Sequence, residues 1–266
     1  MQHFKRRLLL AAVSLTVALG AGLSPASAQA QNLLETIKKR GKILIGTDTG
    51  NPPFAYLNEQ AQRVGSDVET ALLLGQDLGV EVEFVPTTMP NRIPFLLSKK
   101  VDIIVAAFSI TPERQKVIDF SEPLYNLTQV VAGPVAAKVT GFADLAGQAI
   151  ASTRGTTQDQ GLARGVKEHN VPNVTIVRYE DDAAAMTAVA TGQQRFFTSP
   201  PSMVVALKKT HPSLDLEIKF TTRQDPLGVG LRKNEPELKA WLDQWASTNV
   251  ANGKLQAIFD RYHKAG

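Results

Sequence analysis

The sequence predicts an α/β protein built as two lobes, and three observations carry that prediction. Short apolar runs alternate with helical patterns from residue 42 to residue 198, the arrangement of largely parallel sheets with helices between their strands. The alternation occurs twice, once from residue 42 and again from about residue 142. A C-terminal stretch, with a strand over 227–232 and helices over 236–250 and 254–263, has no partner series of its own.

In the first series, residues 42–47 predict a strand and 66–78 a helix, with Ser66 and Glu69 at capping-box spacing. Residues 80–85 are the next strand. Residues 92–98 read as a helix in which Pro94 is unfavourable unless the helix starts there. The five apolar residues 103–107 suit a strand covered on both faces. Thr111 then reads as an N-cap and Pro112 as the first helical residue. In the second series, 142–145 is a helical turn, 148–152 a strand, 157–169 a helix and 174–178 a strand. Residues 183–191 are a helix closed by Gly192, with Glu180, Asp181 and Asp182 as its acidic first turn. Residues 195–198 are the last strand of the series.

The beginning of the chain has a separate character. Lys5, Arg6 and Arg7 precede an apolar stretch that ends in Ala26-Ser27-Ala28-Gln29-Ala30, a secretory signal peptide pattern cleavable after Ala28 or Ala30. The apolar run falls short of the ~20 residues that a membrane span needs. Removing residues 1–30 lowers the net charge from +4 to +1, and the remaining lysine pairs are scattered, so no nucleic acid partner is expected. The chain contains no cysteine. An exported chain of this kind holds itself together by its core and carries no cysteine-linked lipid. His169, His211 and His263 read as surface residues, and no metal or other cofactor is expected.

One cation is out of place. Arg114 falls in the first turn of the helix opened by Pro112, where it opposes the helix dipole, and a bound anion is the simplest group to hold it there. Arg92 also stands at a helix start. Gly155-Thr156-Thr157-Gln158 lies between a strand and a helix, so its N–H groups and hydroxyls can hold an oxyanion, or can simply cap the helix. Arg154 adds a neighbouring cation.

The run Ser109-Ile110-Thr111-Pro112-Glu113-Arg114 resembles the signature of the extracellular solute-binding proteins, family 3, the periplasmic receptors that deliver polar amino acids to ABC importers. The resemblance extends through Gly46-Thr47-Asp48 with Pro52-Pro53-Phe54, Asn91-Arg92-Ile93-Pro94, Val101-Asp102-Ile103-Ile104, Asp144-Leu145-Ala146-Gly147 and Gly155-Thr156-Thr157. It implies a two-lobed periplasmic binding protein fold: a signal peptide at 1–30, a first lobe at 31–131, a second at 132–221, and a return to the first at 222–266. Two strands would cross as a hinge near 130–134 and 219–223, with a ligand cleft between the lobes. By the same resemblance Ser109 and Arg114 grip a ligand α-carboxylate, and Thr157 joins them on closure. Asp48 meets ligand polar groups, and Arg92 reaches the side chain in relatives that take acidic amino acids. Phe54 is either plain core or a pocket aromatic, and Asn51 stands where relatives often carry an aromatic ring, so one apolar wall is either missing or supplied by Phe108. The implied partners are a small amino acid or carboxylate ligand and an inner-membrane permease, with the receptor itself a monomer.

The chain departs from the family in its second lobe. Where the family usually carries an aspartate for the ligand ammonium, this chain has Ser199-Pro200-Pro201, and no carboxylate occurs between Asp182 and Asp215. Either Asp48 meets the ammonium, with Ser199 left at the family position, or the ligand has none. Arg92, Arg114 and Arg154 outnumber Asp48, which leans toward an acidic or oxygen-rich ligand. Two other classes share the fold. A cyclohexadienyl dehydratase-like enzyme needs a proton donor in the cleft, and the stretch without carboxylates argues against one. A ligand-sensing partner of a membrane receptor is the third.

Overall fold

A computed structural model describes residues 32–263 of the chain; the reading of 1–30 as a leader lies outside the described residues. The first elements are α1 (Leu33–Arg40), β1 (Lys42–Thr47), β2 (Gly50–Asn51), β3 (Ala55–Leu57), β4 (Arg63–Val64), α2 (Ser66–Leu78), β5 (Glu81–Pro86), α3 (Arg92–Leu97), β6 (Ile103–Ile104), α4 (Pro112–Gln115) and β7 (Asp119–Phe120). A long strand, β8 (Tyr125–Pro134), leads to β9 (Ala149–Thr153), α5 (Thr157–Glu168), β10 (Thr175–Tyr179), α6 (Asp182–Ala190), β11 (Phe196–Ser199) and α7 (Pro201–Thr210). A second long strand, β12 (Leu216–Leu227), returns to β13 (Gly230–Leu231), α8 (Pro236–Ala251) and α9 (Lys254–His263).

The strands form two five-stranded mixed sheets, one per lobe. The first has the order β5-β1-β6-β13-β7, the second β10-β9-β11-β8-β12, and β2-β3-β4 form a small third sheet. β1 is parallel to both β5 and β6, and the C-terminal β13 enters the same sheet antiparallel. Helices cover both faces, which explains why the inner strands are continuous apolar runs. Ile43, Ile45, Leu231, Leu242 and Trp245 share one buried cluster, so α8 closes the first lobe's core. Val131, Ile150 and Phe196 pack on one face of the second sheet, and Val130, Ala151 and Phe197 on the other.

β8 and β12 pair antiparallel from Tyr125↔Leu227 to Pro134↔Leu216. Tyr125 packs on the first lobe's core, whereas Val130 and Ala132 belong to the second. The two strands are therefore a ribbon that joins the lobes, in agreement with the two crossings of the fold class. Phe54, Leu127, Met203 and Leu227 form a small apolar cluster where the lobes meet.

Four local expectations need correction. Residues 103–107 are strand only at Ile103–Ile104; Val105 still donates to Gly46, but Ala107 takes a positive φ of 45° and turns the chain outward. Ser66 and Glu69 form no capping box. The Ser66 hydroxyl pairs with His263 Nε2 at 2.8 Å, and Glu69 instead bonds Arg261 and Tyr262, fastening α9 to α2. His263 is accordingly no surface residue, since its ring stacks on Phe259 at 3.9 Å between centroids and meets Phe54 at 4.4 Å. Leu227 and Leu231 lie in different strands, β12 and β13, rather than in one. Pro94 is harmless as the third residue of α3, because the first N–H groups of a helix have no intrahelical acceptor. Among the described residues no helix is long and apolar enough to cross a membrane.

Candidate ligand-binding site

The turn after β6 delivers Ser109 and Arg114. Thr111 caps α4, its hydroxyl accepting from Arg114 N–H at 3.3 Å, with Pro112 at the first helical position. The Arg114 side chain folds back from this short helix and donates to Ser109 O at 2.8 Å. Across the cleft, Thr156 caps α5 by accepting from Asp159 N–H at 3.2 Å, which aims the first turn of α5 at the first lobe. Gly155 takes φ +74°, and a Cβ there would lie 3.1 Å from Pro90 of the first lobe. A residue with a side chain would be strained and crowded at this approach.

Three contacts join the lobes here. Ser109 Oγ and Thr157 Oγ1 lie 3.0 Å apart. Arg114 and Arg92 both donate to the Gly155 carbonyl, at 3.2 and 3.0 Å. Arg92 also donates to Met89 O and Ala106 O, so carbonyls hold its guanidinium. Both guanidinium carbons sit 4.7 Å from the centre of the Phe108 ring. Burial lowers the arginine pKa values, to about 10 for Arg92 and about 9 for Arg114, and both stay cationic at neutral pH.

These groups surround a cavity of about 20 Å³, room for one water-sized molecule. Asn51, Phe54, Arg92, Ser109, Arg114, Thr156 and Thr157 line it. An adjoining cavity of about 300 Å³ lies beyond the two arginines, against Phe108, Ile93 and Glu113. The inner space is too small for an amino acid with the lobes in this arrangement.

Four expected site residues do not reach the inner cavity. Asp48 is buried behind it and accepts Gly50 N–H at 2.9 Å; burial raises its pKa. Phe108 is one layer back, a platform for the two arginines. Ser199 turns its hydroxyl onto Pro200 O at 3.1 Å. Arg154 points to solvent and pairs with Glu180 at 3.3 Å, because its neighbour Gly155, and not Arg154, turns toward the first lobe.

The fold and this cleft agree with known proteins. The family model for bacterial extracellular solute-binding proteins, family 3, matches residues 43–265. The chain belongs to that family. Among its relatives, the solute-binding protein is 30% identical over 267 residues to the L-cystine-binding protein TcyJ of Escherichia coli (strain K12), covering 99% of this chain and 97% of that protein. It is similar in structure to an ancestral amino acid-binding protein, AncCDT-1, described as a precursor of cyclohexadienyl dehydratase, with a TM-score of 0.78 and 31% identity over 87% of this chain and 99% of that one. The cysteine-binding protein of Campylobacter jejuni gives a TM-score of 0.78 and 28% identity, over 88% and 93% of the two chains. The resemblance read from the 109–114 motif is thus borne out.

Several lining residues of this solute-binding protein escaped the sequence reading: Met89, Leu127, Gln129, Gln158, Asp182 and Met203. Gln158 was within sight as the fourth residue of the Gly155 run. In sequence Asp182 is part of a helix's acidic first turn, and the turn is real, with Asp181 as N-cap. Yet Asp182 is 4% exposed, and its carboxylate accepts from the Thr153 hydroxyl and from Gln158 Nε2, the latter at 2.8 Å. Burial pushes its pKa up to about 6. Gln129 and Met203 lie on elements with no local signature of a site.

Proposed function

We propose that this protein is the periplasmic receptor of an ABC importer and captures a polar α-amino acid by closure of its two lobes. The observation that carries this reading is the convergence of Ser109 and Arg114 from one lobe with Thr157 from the other on a single small cavity. A carboxylate there would accept from the Arg114 fork and both hydroxyls, and the Thr157 contact would exist only in the closed form. Relatives named for cystine, glutamine and arginine support an amino acid as the ligand class.

The hinge we assign to residues 125–129 and 223–227. There β8 pairs only with β12, whereas 130–132 are also tied to β11, so bending is easiest before the second sheet begins. This lies a few residues outside the crossings expected at 130–134 and 219–223, and it shifts the lobe boundaries correspondingly. A thermal-shift screen of residues 31–266 against amino acids, dicarboxylates, keto acids and amines tests the receptor reading. A ligand at 100-fold its Kd stabilises by about 2.7 kcal/mol. Stabilisation by an amino acid supports the reading, and stabilisation by amines alone contradicts it.

One observation favours a second reading. Asp182, a buried carboxyl with a pKa near 6, is the kind of proton donor that a cyclohexadienyl dehydratase-like elimination needs. The stretch without carboxylates begins just after it. Release of carbon dioxide from prephenate-like acids by the purified protein would support this enzyme class, and binding without turnover would support the receptor.

A further inference from the structure

We propose that Asp182 holds the ammonium group of the ligand, doing from the start of α6 what the family usually does from the place occupied here by Ser199. The proposal rests on the receptor reading and deepens it, since it decides between an amino acid and a carboxylate without an amine.

The charged residues lining the inner cavity are Arg92, Arg114 and Asp182. Arg114 lies beside the Ser109–Thr157 contact, and Arg92 spends its donors on the carbonyls of Met89, Ala106 and Gly155. Neither arginine forms an ion pair with Asp182 among the described residues. The bonds from Thr153 and Gln158 both fall on Oδ1 of Asp182, fixing the carboxylate and leaving Oδ2 for another donor.

A second observation is independent of Asp182. Asn51 and Gln129 are 1% and 2% exposed, and both line the same cavity. The Asn51 Oδ1 and Gln129 Oε1 atoms have no hydrogen-bond partner among the described residues. β2, which carries Asn51, lies close against the start of α6, so that a Cβ on Gly50 would come within 2.8 Å of Asp181. The cavity therefore offers buried acceptors in surplus. An ammonium brings three donors to such a place, whereas a keto or hydroxy acid would leave buried acceptors unpaired. Asp48, the other carboxylate weighed for this role, does not reach the cavity.

The test is calorimetric titration of residues 31–266, wild type and Asp182→Asn, with an amino acid found by the screen and with the α-hydroxy and α-keto acids of the same side chain. The wild type should favour the amino acid by about 10- to 100-fold or more, and Asp182→Asn should reduce that preference by a similar factor. A preference unchanged in Asp182→Asn overturns the proposal, as does a wild type that binds all three acids equally. Equal binding leaves the receptor reading standing, whereas a screen that yields no amino acid removes both. Should Asp182→Asn bind nothing, the same ratio is measured on Asn51→Leu, where a full wild-type preference counts against the site and a reduced one supports it.

Discussion

Ser109 Oγ and Thr157 Oγ1 lie 3.0 Å apart, buried, from opposite sides of the cleft. Ser109 sits after a strand of the first lobe and Thr157 opens a helix of the second, so parting of the lobes would break this contact. Replacing Thr157 by Val keeps the volume and removes the hydroxyl. Affinity for the ligand should fall by about 10- to 100-fold, the worth of one hydrogen bond to a charged group, with the unliganded protein nearly as stable as wild type. Calorimetry paired with thermal melting checks this, and an unchanged Kd would exclude Thr157 from the site.

Arg114 is buried and cationic without a carboxylate at ion-pair distance among the described residues; it leans on carbonyls and the Phe108 ring. Burial of such a charge costs stability until an anion arrives. Arg114→Met should therefore abolish measurable ligand binding while lowering the melting temperature of the unliganded protein by no more than a few degrees. Loss of stability comparable to the loss of binding would mark Arg114 as structural.

Gly155 brings its carbonyl to both arginines at a positive φ, against Pro90. Gly155→Ala adds strain of about 1 kcal/mol and a Cβ in the gap between lobes. The ligand-induced thermal shift should shrink more than the unliganded melting temperature falls. An equal fall in both would mean that this turn contributes to folding but not to closure.

The buried titratable groups make stability depend on pH in opposing ways. Burial pushes Asp67 up to about 7 and Asp182 up to about 6, so in both cases the folded state holds the proton more tightly than the unfolded chain. Their contribution is present at low pH and is lost as pH rises from about 4 through those values. Burial pushes His263 down to about 4, so the unfolded chain takes the proton first, and its contribution is lost as pH falls from about 6.5 to 4. His263→Phe removes only the second effect. Between pH 4 and 6.5 its urea midpoint should decline with rising pH more steeply than that of wild type. Parallel profiles would contradict the burial of that ring.

The residues that carry local chemistry were legible in the sequence. A cation in the first turn of a capped helix singles out Arg114, and the Gly155-Thr156-Thr157 turn reads as an oxyanion site or a cap, with Thr157 marked only by the family resemblance. The apolar runs of the inner strands β1 and β9 mark them almost to the residue, because strands covered on both faces show little polar alternation, whereas the edge strand β5 shows itself by alternating Glu81 and Glu83 with apolar residues. The same reasoning treated Arg92 and Arg154 alike. Only tertiary contacts separate them, since Met89, Ala106 and Gly155 enclose the first and solvent surrounds the second. Asp182 was hidden by its own cap-like setting: an acid in the first turn of a helix is explained by the dipole, and nothing local shows that it faces a cavity. The ribbon of β8 and β12 is longer than the expected crossings because pairing continues without interruption from Gln129↔Arg223 to Tyr125↔Leu227, through polar residues such as Asn126, Thr128, Gln224 and Asp225 that carry no apolar strand pattern.

The central claim is that closure seals a ligand carboxylate between Arg114, Ser109 and Thr157. Titration of the mature protein with an amino acid that binds, and with the α-carboxamide of the same amino acid, tests it most directly. The account predicts that the carboxamide, which keeps the ammonium and the side chain but has lost the anion, binds at least about 100-fold more weakly. Equal affinity for the two would contradict it.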